Sequence, residues 1–326
     1  MPTTDASNKP SLPAMVTEVR GYLLGLQDAL CQLLHTLEPN GDFIGEAIET
    51  PQGGLAQPRV LAVPWDNSHQ QCGIEKAAVQ FSHSIGAALP EAATQRNPHL
   101  AGLGFQAMAV SVIVHPHNPY VPTCHMNVRF FVVDSTPSTW YFGGGYDLTP
   151  YYGFTADSQS WHANAQKAVG AHYPAMKSAC DDYFYLDHRK EARGIGGVFF
   201  DDWTEGGFAE SFALVRRVGD SFATGYEPIF RQRAITPYGA RQRQFQTYRR
   251  GRYAEFNLAQ DRGTRYGLQS GRRIESVLAS LPPVVRWDYD FTPEAGSAEA
   301  ALTEEFLPVR DWLSAVDNSG DEMQRR

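Results

Sequence analysis

Two segments rich in Val, Ile and Phe constrain the fold of this chain more than any other feature, because such residues favour extended backbone. They cover residues 107–115 and 127–133, and the loop between them contains Pro116, Pro119 and Pro122. Prolines in a connection of this kind are typical of a turn between neighbouring strands. We therefore predict an antiparallel pair of strands within a β-sheet.

Other segments predict further strands and several helices. Residues 16–37 carry apolar side chains at alternating spacings of three and four, the pattern of an amphipathic helix, at Val16, Val19, Leu23, Leu26, Leu30, Leu33 and Leu37. Residues 50–64 are rich in Pro and Gly and predict a loop that leads into an edge strand. The remaining predicted strands are 139–144, 196–200 and 253–259, and the remaining predicted helices are 157–171, 174–192, 208–226 and 238–250.

Strands and helices do not alternate regularly along this chain, so the pattern favours an α+β fold with an antiparallel sheet over a doubly wound sheet. We find no internal repeat and no clear linker between domains. The expected organisation is a flexible N-terminus at 1–13, a single domain at 14–316 and a flexible tail at 317–326.

Composition excludes several classes of protein. Hydrophobic residues make up 42% of the chain, enough for a sizeable core, and the net charge of −8 argues against a molecule that binds nucleic acid or acidic membranes with its whole surface. The four cysteines form no C-x-x-C pair, which argues against a zinc knuckle or a disulfide framework. There is no apolar run of membrane-spanning length and no signal-like N-terminus. We therefore expect a cytoplasmic protein without a membrane span.

Polar side chains recur at alternate positions of the two central strands. Alternation places Ser111 and His115 on one face of the first strand, and His125, Asn127 and Arg129 on one face of the second. Such a face is either exposed to water or lines a polar pocket. Arg129, between Val128 and Phe130 in sequence, favours the pocket.

The histidines could bind a metal or serve in acid–base chemistry. His115, His117 and His125 lie close in sequence, and His162 and His188 follow on predicted helices. No Asp or Glu stands at a familiar ligand spacing, so hydrogen-bonded or acid–base histidines are favoured, while a metal-dependent oxygenase remains an alternative.

The segment 231–273 contains eleven arginines, no lysine and two acidic residues, which gives it a local net charge of +9. Arginine binds carboxylates and phosphates through its planar fork, so the segment predicts recognition of a small polyanion. About half of these arginines are expected to pair with acidic residues or across a subunit interface. Tyr248, Tyr253 and Phe256 lie among the arginines and keep an arginine-rich nucleic-acid binding module as an alternative.

Two glycine-rich segments, 143–145 and 194–197, lack the spacing of phosphate-binding loops. Glycines in strands instead indicate the close approach of a ligand or of another backbone. Asp201 and Asp202 follow the predicted strand 196–200, and adjacent residues on extended backbone point in opposite directions. We therefore expect at most one of the two aspartates to face a site.

Four segments together resemble the oxygen-dependent coproporphyrinogen III oxidases. They read GFQAMAVSVIVHPHNPYVPTCHMNVRFF (104–131), WYFGGGYDLTPYYGF (140–154), YFYLDHRKEARGIGGVFFDDW (183–203) and YRRGRYAEFNLAQDRGTRYGLQSGRRIESVLASLPPVVRWDYDF (248–291). The resemblance implies a large flat antiparallel sheet sandwiched between helices, in a homodimer that forms through about 253–288. It also implies oxidative decarboxylation of two propionates of coproporphyrinogen III by O2, to give protoporphyrinogen IX. O2 is then a co-substrate, and no flavin or haem takes part.

The resemblance also assigns residues. The proton-donor histidine of the family falls on His125. Substrate contacts fall on Ser111, Asn127, Val128, Arg129, Gly271, Arg272 and Arg273. Beyond the resemblance, we add Arg262 as a further candidate and hypothesise that Asp201 or Asp202 holds the pyrrole N–H groups. Many members read Gly-Gly-Arg where this chain has Arg272 in the middle position. Bacterial members are described with four histidine metal positions, here His115, His125, His162 and His188, and eukaryotic members are regarded as metal-free. We expect a divalent metal to be possible but not essential.

Overall fold

The computed structural model describes residues 11–62, 73–89, 98–269 and 272–314. Residues 1–10 and 317–326 of the predicted flexible ends lie outside these ranges, and so does Gly271. The first helix begins at Leu12, within the segment predicted as a flexible N-terminus.

Within the described residues, eight strands form one antiparallel sheet and two more form a small hairpin. The sheet contains β1 (Asp42–Ile44), β2 (Ile48–Glu49), β3 (Leu55–Ala62), β4 (Ile74–Gly86), β5 (Phe105–Pro116), β6 (Thr123–Val133), β7 (Thr139–Thr149) and β10 (Gly196–Trp203), and the hairpin contains β8 (Tyr185–Leu186) and β9 (Glu191–Ala192). The strand order is β1-β3-β4-β5-β6-β7-β10, with β2 also paired to β3. The predicted central pair is confirmed as β5 and β6.

The helices lie on both sides of this sheet. They are α1 (Leu12–Leu37), α2 (Thr155–Val169), α3 (Tyr173–Tyr183), α4 (Gly207–Ala234), α5 (Ala240–Ala259), α6 (Arg262–Gln269), α7 (Ile274–Val277) and α8 (Ala298–Ala301). The predicted apolar stripe of α1 is confirmed with a small rotation, since Met15 and Leu34 are buried where the pattern predicted Val16 and Leu33. No helix of the described ranges has both the length and the apolar composition needed to cross a lipid bilayer.

Each face of the sheet is covered by a different set of helices. The first face packs against α1, α2 and α4, for example where the rings of Phe130 and Phe208 lie 5.9 Å apart. The second face is partly covered by α5 and by the 3₁₀ turn Leu278–Ser280, where Ile113 packs against Tyr253. The α+β fold, a single domain with an antiparallel sheet between helices, is therefore confirmed.

The loop predicted at 50–64 is wrong for most of its length, because β3 occupies Leu55–Ala62 in the interior of the sheet. A strand was not expected there since Pro58 cannot donate a ladder hydrogen bond. Pro58 is accommodated because β1 pairs with residues 60–62 and β2 with residues 55–56, so that it lies in the gap between these two short strands.

Two predictions in the second half of the chain are also wrong. Residues 253–259 are not a strand but continue α5, because Tyr253 and Phe256, one helical turn apart, are both buried beneath the second face. The helix predicted at 174–192 ends at Tyr183, and the chain turns back through the β8–β9 hairpin with Lys190 at a φ of 56°.

Candidate active site

A stripe of polar side chains crosses the second face of the sheet. Ser111 of β5 is directly opposite Asn127 of β6, and His125 of β6 is directly opposite Asp147 of β7. Opposed residues of antiparallel strands share a face, so these four residues and Arg129 lie together. The prediction that Ser111, His125, Asn127 and Arg129 share one face is confirmed.

The stripe is only partly exposed to solvent, and its Asp147 is fully buried. His125, Asn127 and Arg129 are half-buried, whereas the alternate residues Met126 and Val128 are fully buried on the first face. The Val128 side chain therefore points away from the stripe, and this residue can meet a ligand only through its main chain.

Asp201 connects Arg129 on the sheet to Arg262 at the start of α6. Arg129 Nη2 donates to Asp201 Oδ1 at 2.7 Å, and Arg262 Nη2 donates to Asp201 Oδ2 at 3.0 Å. Burial would raise the pKa of Asp201, but the two guanidinium groups lower it below its ordinary value. Gly143 makes room for this cluster, since a Cβ there would lie 2.6 Å from Arg129 Nε.

A β-bulge near the end of β10 separates the two aspartates. Phe200 pairs with Gly144 but Trp203 pairs with Phe142, so β10 has one extra residue over this interval. Asp202 has a φ of 50° and is exposed, while Asp201 turns toward the polar stripe. The two side chains do point differently, as expected, and Asp201 is the one that joins the cluster.

His125 is held by a buried ion pair that the sequence did not reveal. His125 Nδ1 lies 3.0 Å from Asp147 Oδ1, and Arg193 Nη2 donates to both oxygens of Asp147 at 2.8 Å. Burial would raise the pKa of Asp147, but Arg193 and the His125 hydrogen bond lower it. Since an ionised carboxylate only accepts, His125 carries a hydrogen on Nδ1.

His115 lies on the same face but is fully buried and engaged. Its Nε2 donates to Ser280 O at 2.9 Å and its Nδ1 lies 3.3 Å from Thr123 Oγ1. Burial and the nearby Arg250 hold the pKa of His115 well below its usual range, so it stays neutral. His115 therefore links the sheet to the covering 3₁₀ turn.

The other two histidines implied as metal positions lie elsewhere. His162 donates from Nε2 to Ile195 O at 2.9 Å, and burial lowers its pKa to about 4. His188 is exposed, with Nε2 2.8 Å from Glu255 Oε2. Among the described residues, no three His, Cys, Asp or Glu side chains come together as a metal-binding group. The four histidines therefore do not fit one shared metal in this subunit.

Most of the arginine-rich segment is committed to internal ion pairs. Within the described ranges, nine of the eleven arginines pair with carboxylates, more than the half that was expected, and the nine are Arg231, Arg233, Arg241, Arg243, Arg249, Arg250, Arg252, Arg262 and Arg273. The segment therefore does not present its whole +9 charge to a ligand. Tyr248, Tyr253 and Phe256 are buried and cannot stack on nucleotide bases, which removes the basis of the nucleic-acid alternative.

Two arginines lie on opposite sides of the polar stripe. Arg272 Nη2 donates to Ser84 Oγ of β4 at 3.1 Å, whereas Arg262 pairs with Asp201 of β10. Four strand spacings separate β4 from β10, so these anchors are roughly 19 Å apart across the sheet. Arg273 is half exposed and pairs with Glu275 at 3.3 Å.

The sequence also matches a family model. The model is described as coproporphyrinogen III oxidase, and it covers residues 18–312. This range includes every strand of the sheet and every residue of the polar stripe, the Asp201 cluster and the His125 ion-pair network. The chain belongs to the coproporphyrinogen III oxidase family.

Proposed function

We propose that this chain uses O2 to decarboxylate two propionates of coproporphyrinogen III, giving the two vinyl groups of protoporphyrinogen IX. The observation that carries the proposal is the half-buried polar stripe, where His125 is held by Asp147 and Asp201 lies between two guanidinium groups. A porphyrinogen is electron-rich enough to react with O2 directly. The proposal therefore includes no organic cofactor and treats a metal as dispensable.

The substrate carries four propionates, and the polar stripe is flanked by arginines suited to carboxylates. Arg262 and Arg272 lie on opposite sides of it, and Arg273 is half exposed nearby in sequence. An incoming propionate would compete with Asp201 for Arg129 or Arg262. That exchange would release the Asp201 carboxylate to accept pyrrole N–H groups, the role we propose for it.

The chemistry can be balanced with O2 as the sole oxidant. Loss of a pyrrole proton lets the ring transfer an electron pair to O2, forming a peroxide on a ring carbon. The peroxide removes a β-hydrogen from the propionate, and the pair left by departing CO2 completes the vinyl group as H2O2 leaves. Each propionate thus consumes one O2 and one proton and releases one CO2 and one H2O2.

His125 is placed to handle the proton that this reaction needs. Its side chain is 26% exposed, whereas that of Asp147 behind it is 2% exposed, so of the two only the imidazole is open to a ligand. With Nδ1 bonded to Asp147, Nε2 delivers and recovers the proton.

We further propose a homodimer formed through residues 253–288. Apolar side chains over 40% exposed cluster in and near this segment, namely Leu258, Tyr266, Leu268, Ile274 and Trp287. Exposed apolar side chains concentrated in one segment are typical of a protein interface. Light scattering should give twice the chain mass, and a monomer at assay concentration would reject this interface.

The function is tested by incubating the purified protein with coproporphyrinogen III in air and under argon, followed by chromatography of the oxidised porphyrins. Loss of two carboxyl groups in air, and unchanged substrate under argon, is the expected result. Unchanged substrate in both atmospheres would reject the proposal.

A further inference from the structure

Asn257 of α5 is buried behind the His125 ion-pair network and takes no part in the chemistry described above. It is 5% exposed. Its Oδ1 accepts from Arg193 Nη1 at 3.2 Å, and its Nδ2 donates to Ser280 Oγ at 3.4 Å. Arginine is only a donor, so the amide must face Arg193 with its oxygen.

Arg193 has few ways to satisfy its donors, because its side chain is 2% exposed. Nε and Nη2 donate to Asp147, and Nη1 donates to Asn257. The central carbon of the guanidinium lies over the rings of Phe184, Tyr253 and Phe256, 4.1 to 4.6 Å from their centroids. The bonds to Asp147 orient the guanidinium relative to that carboxylate, and the bond to Asn257 Oδ1 anchors the Arg193–Asp147 pair to α5.

The orientation of the Arg193 guanidinium matters because it determines the orientation of the Asp147 carboxylate. Asp147 Oδ1 accepts from both Arg193 Nη2 and His125 Nδ1. A guanidinium that turns away from Asn257 would draw the carboxylate with it and lengthen the bond that keeps hydrogen on His125 Nδ1. The path from Asn257 to the exposed imidazole therefore has three consecutive contacts, each between polar atoms 2.8 to 3.2 Å apart.

We propose that Asn257 is a positioning residue that acts through Arg193 and Asp147 to fix the tautomer of His125. This inference rests on the proposed function for its effect on turnover, but its structural part can be measured without substrate. The proposal assigns the positioning role to Asn257 Oδ1, which contacts Arg193, and not to Nδ2, which contacts Ser280 outside the ion-pair network.

The test compares three variants of the full-length protein. Asn257→Leu keeps the approximate volume but removes the contacts with Arg193 and Ser280, and Asn257→Asp keeps an acceptor for Arg193. Ser280→Ala leaves the contact with Arg193 in place and removes the contact on the other side, together with the bond from Ser280 Oγ to Val277 O. Steady-state kinetics with coproporphyrinogen III give kcat and KM. Nitrogen NMR of histidine-labelled protein without substrate gives the tautomer of His125, whose signals are assigned by their loss in His125→Gln.

For Asn257→Leu we expect kcat to fall about tenfold, the lower end for a lost hydrogen bond to a charged group, with little change in KM. The His125 signals should change from those of a fixed Nδ1–H tautomer to an average of both tautomers. Asn257→Asp and Ser280→Ala should keep the wild-type tautomer and a kcat within about threefold of wild type.

An unchanged tautomer in folded Asn257→Leu would overturn the inference, whatever its activity, since the residue would then be merely structural. If Asn257→Leu does not fold, Asn257→Asp provides the test, because it keeps an acceptor for Arg193. A tenfold loss of kcat in Asn257→Asp would show that this acceptor does not carry the positioning role. A wild-type protein without activity on coproporphyrinogen III would reject the proposed function alone, because the NMR comparison does not depend on turnover.

Discussion

The substitution His125→Ala should lower kcat strongly and the free energy of unfolding only slightly, because the imidazole makes few contacts with the rest of the fold. Its hydrogen bond to Asp147 is 3.0 Å long, and its other described contact is the edge of Phe184, with ring centroids 5.9 Å apart. Asp147 keeps its three bonds from Arg193 when the imidazole is removed, so no buried charge becomes unpaired. The lost bond is to a charged group, and water can enter the vacated space because the His125 side chain is 26% exposed. The free energy of unfolding should therefore fall by only about 1.5 kcal/mol.

The expected effect on turnover is much larger. Loss of a general acid–base group usually lowers the rate by about 10²- to 10⁴-fold, and we expect kcat of His125→Ala to fall in that range. The assay is the aerobic conversion of coproporphyrinogen III at saturating substrate, with product quantified by chromatography. Urea unfolding of the same preparation gives the stability.

His188→Ala is the matched control, since His188 is exposed and its partner Glu255 keeps bonds from Arg189 and Trp287. It should retain kcat within about twofold. A folded His125→Ala variant with wild-type kcat would refute the reasoning and leave His125 as a structural residue.

Three further predictions concern the surroundings of the site. Asp201→Asn should lower kcat/KM, measured by steady-state kinetics, by about 10- to 150-fold, which is the effect of one charged hydrogen bond. Asp202→Asn should lower kcat/KM less, and equal losses would contradict the assignment of Asp201 to the site. Glu75→Gln should lower the free energy of unfolding by about 3 to 5 kcal/mol in a urea titration, because it leaves the buried Arg250 without its carboxylate. Burial would raise the pKa of Glu75, but Arg250 and Arg243 lower it below its ordinary value of 4.5. The wild type should therefore lose stability as the pH falls below 4.5, and Glu75→Gln should lose less over the same interval, whereas parallel curves would contradict this. Activity should persist after exhaustive chelation, checked by metal analysis, and activity restored only by one added metal would reverse that expectation.

Residue alternation was sufficient to predict one side of the site. The pattern of β6 places His125, Asn127 and Arg129 on one face, and that inference needs only the two-residue period of a strand. The residues behind His125 could not be found in this way. Asp147 lies beyond residue 144, where the predicted strand ended, and its position opposite His125 depends on the register of the β6–β7 hairpin.

The charge pattern identified the arginine-rich segment but did not predict that most of its arginines form internal ion pairs. Internal partners come from distant positions, as where Glu75 meets Arg250, and such pairs form only in the folded chain. Helix α5 was predicted too short for a similar reason. Tyr253 and Phe256 suit a strand by propensity, but packing beneath the second face keeps them helical.

The most direct test of the account is the simultaneous measurement of O2 uptake and CO2 release during turnover of coproporphyrinogen III. The electron balance requires a two-electron oxidation for each propionate that becomes a vinyl group, so one O2 should disappear for each CO2 released, with one H2O2 formed. Removal of O2 should stop CO2 release completely. Release of CO2 under argon, or without matching O2 uptake, would contradict the proposal that O2 is the oxidant at this site.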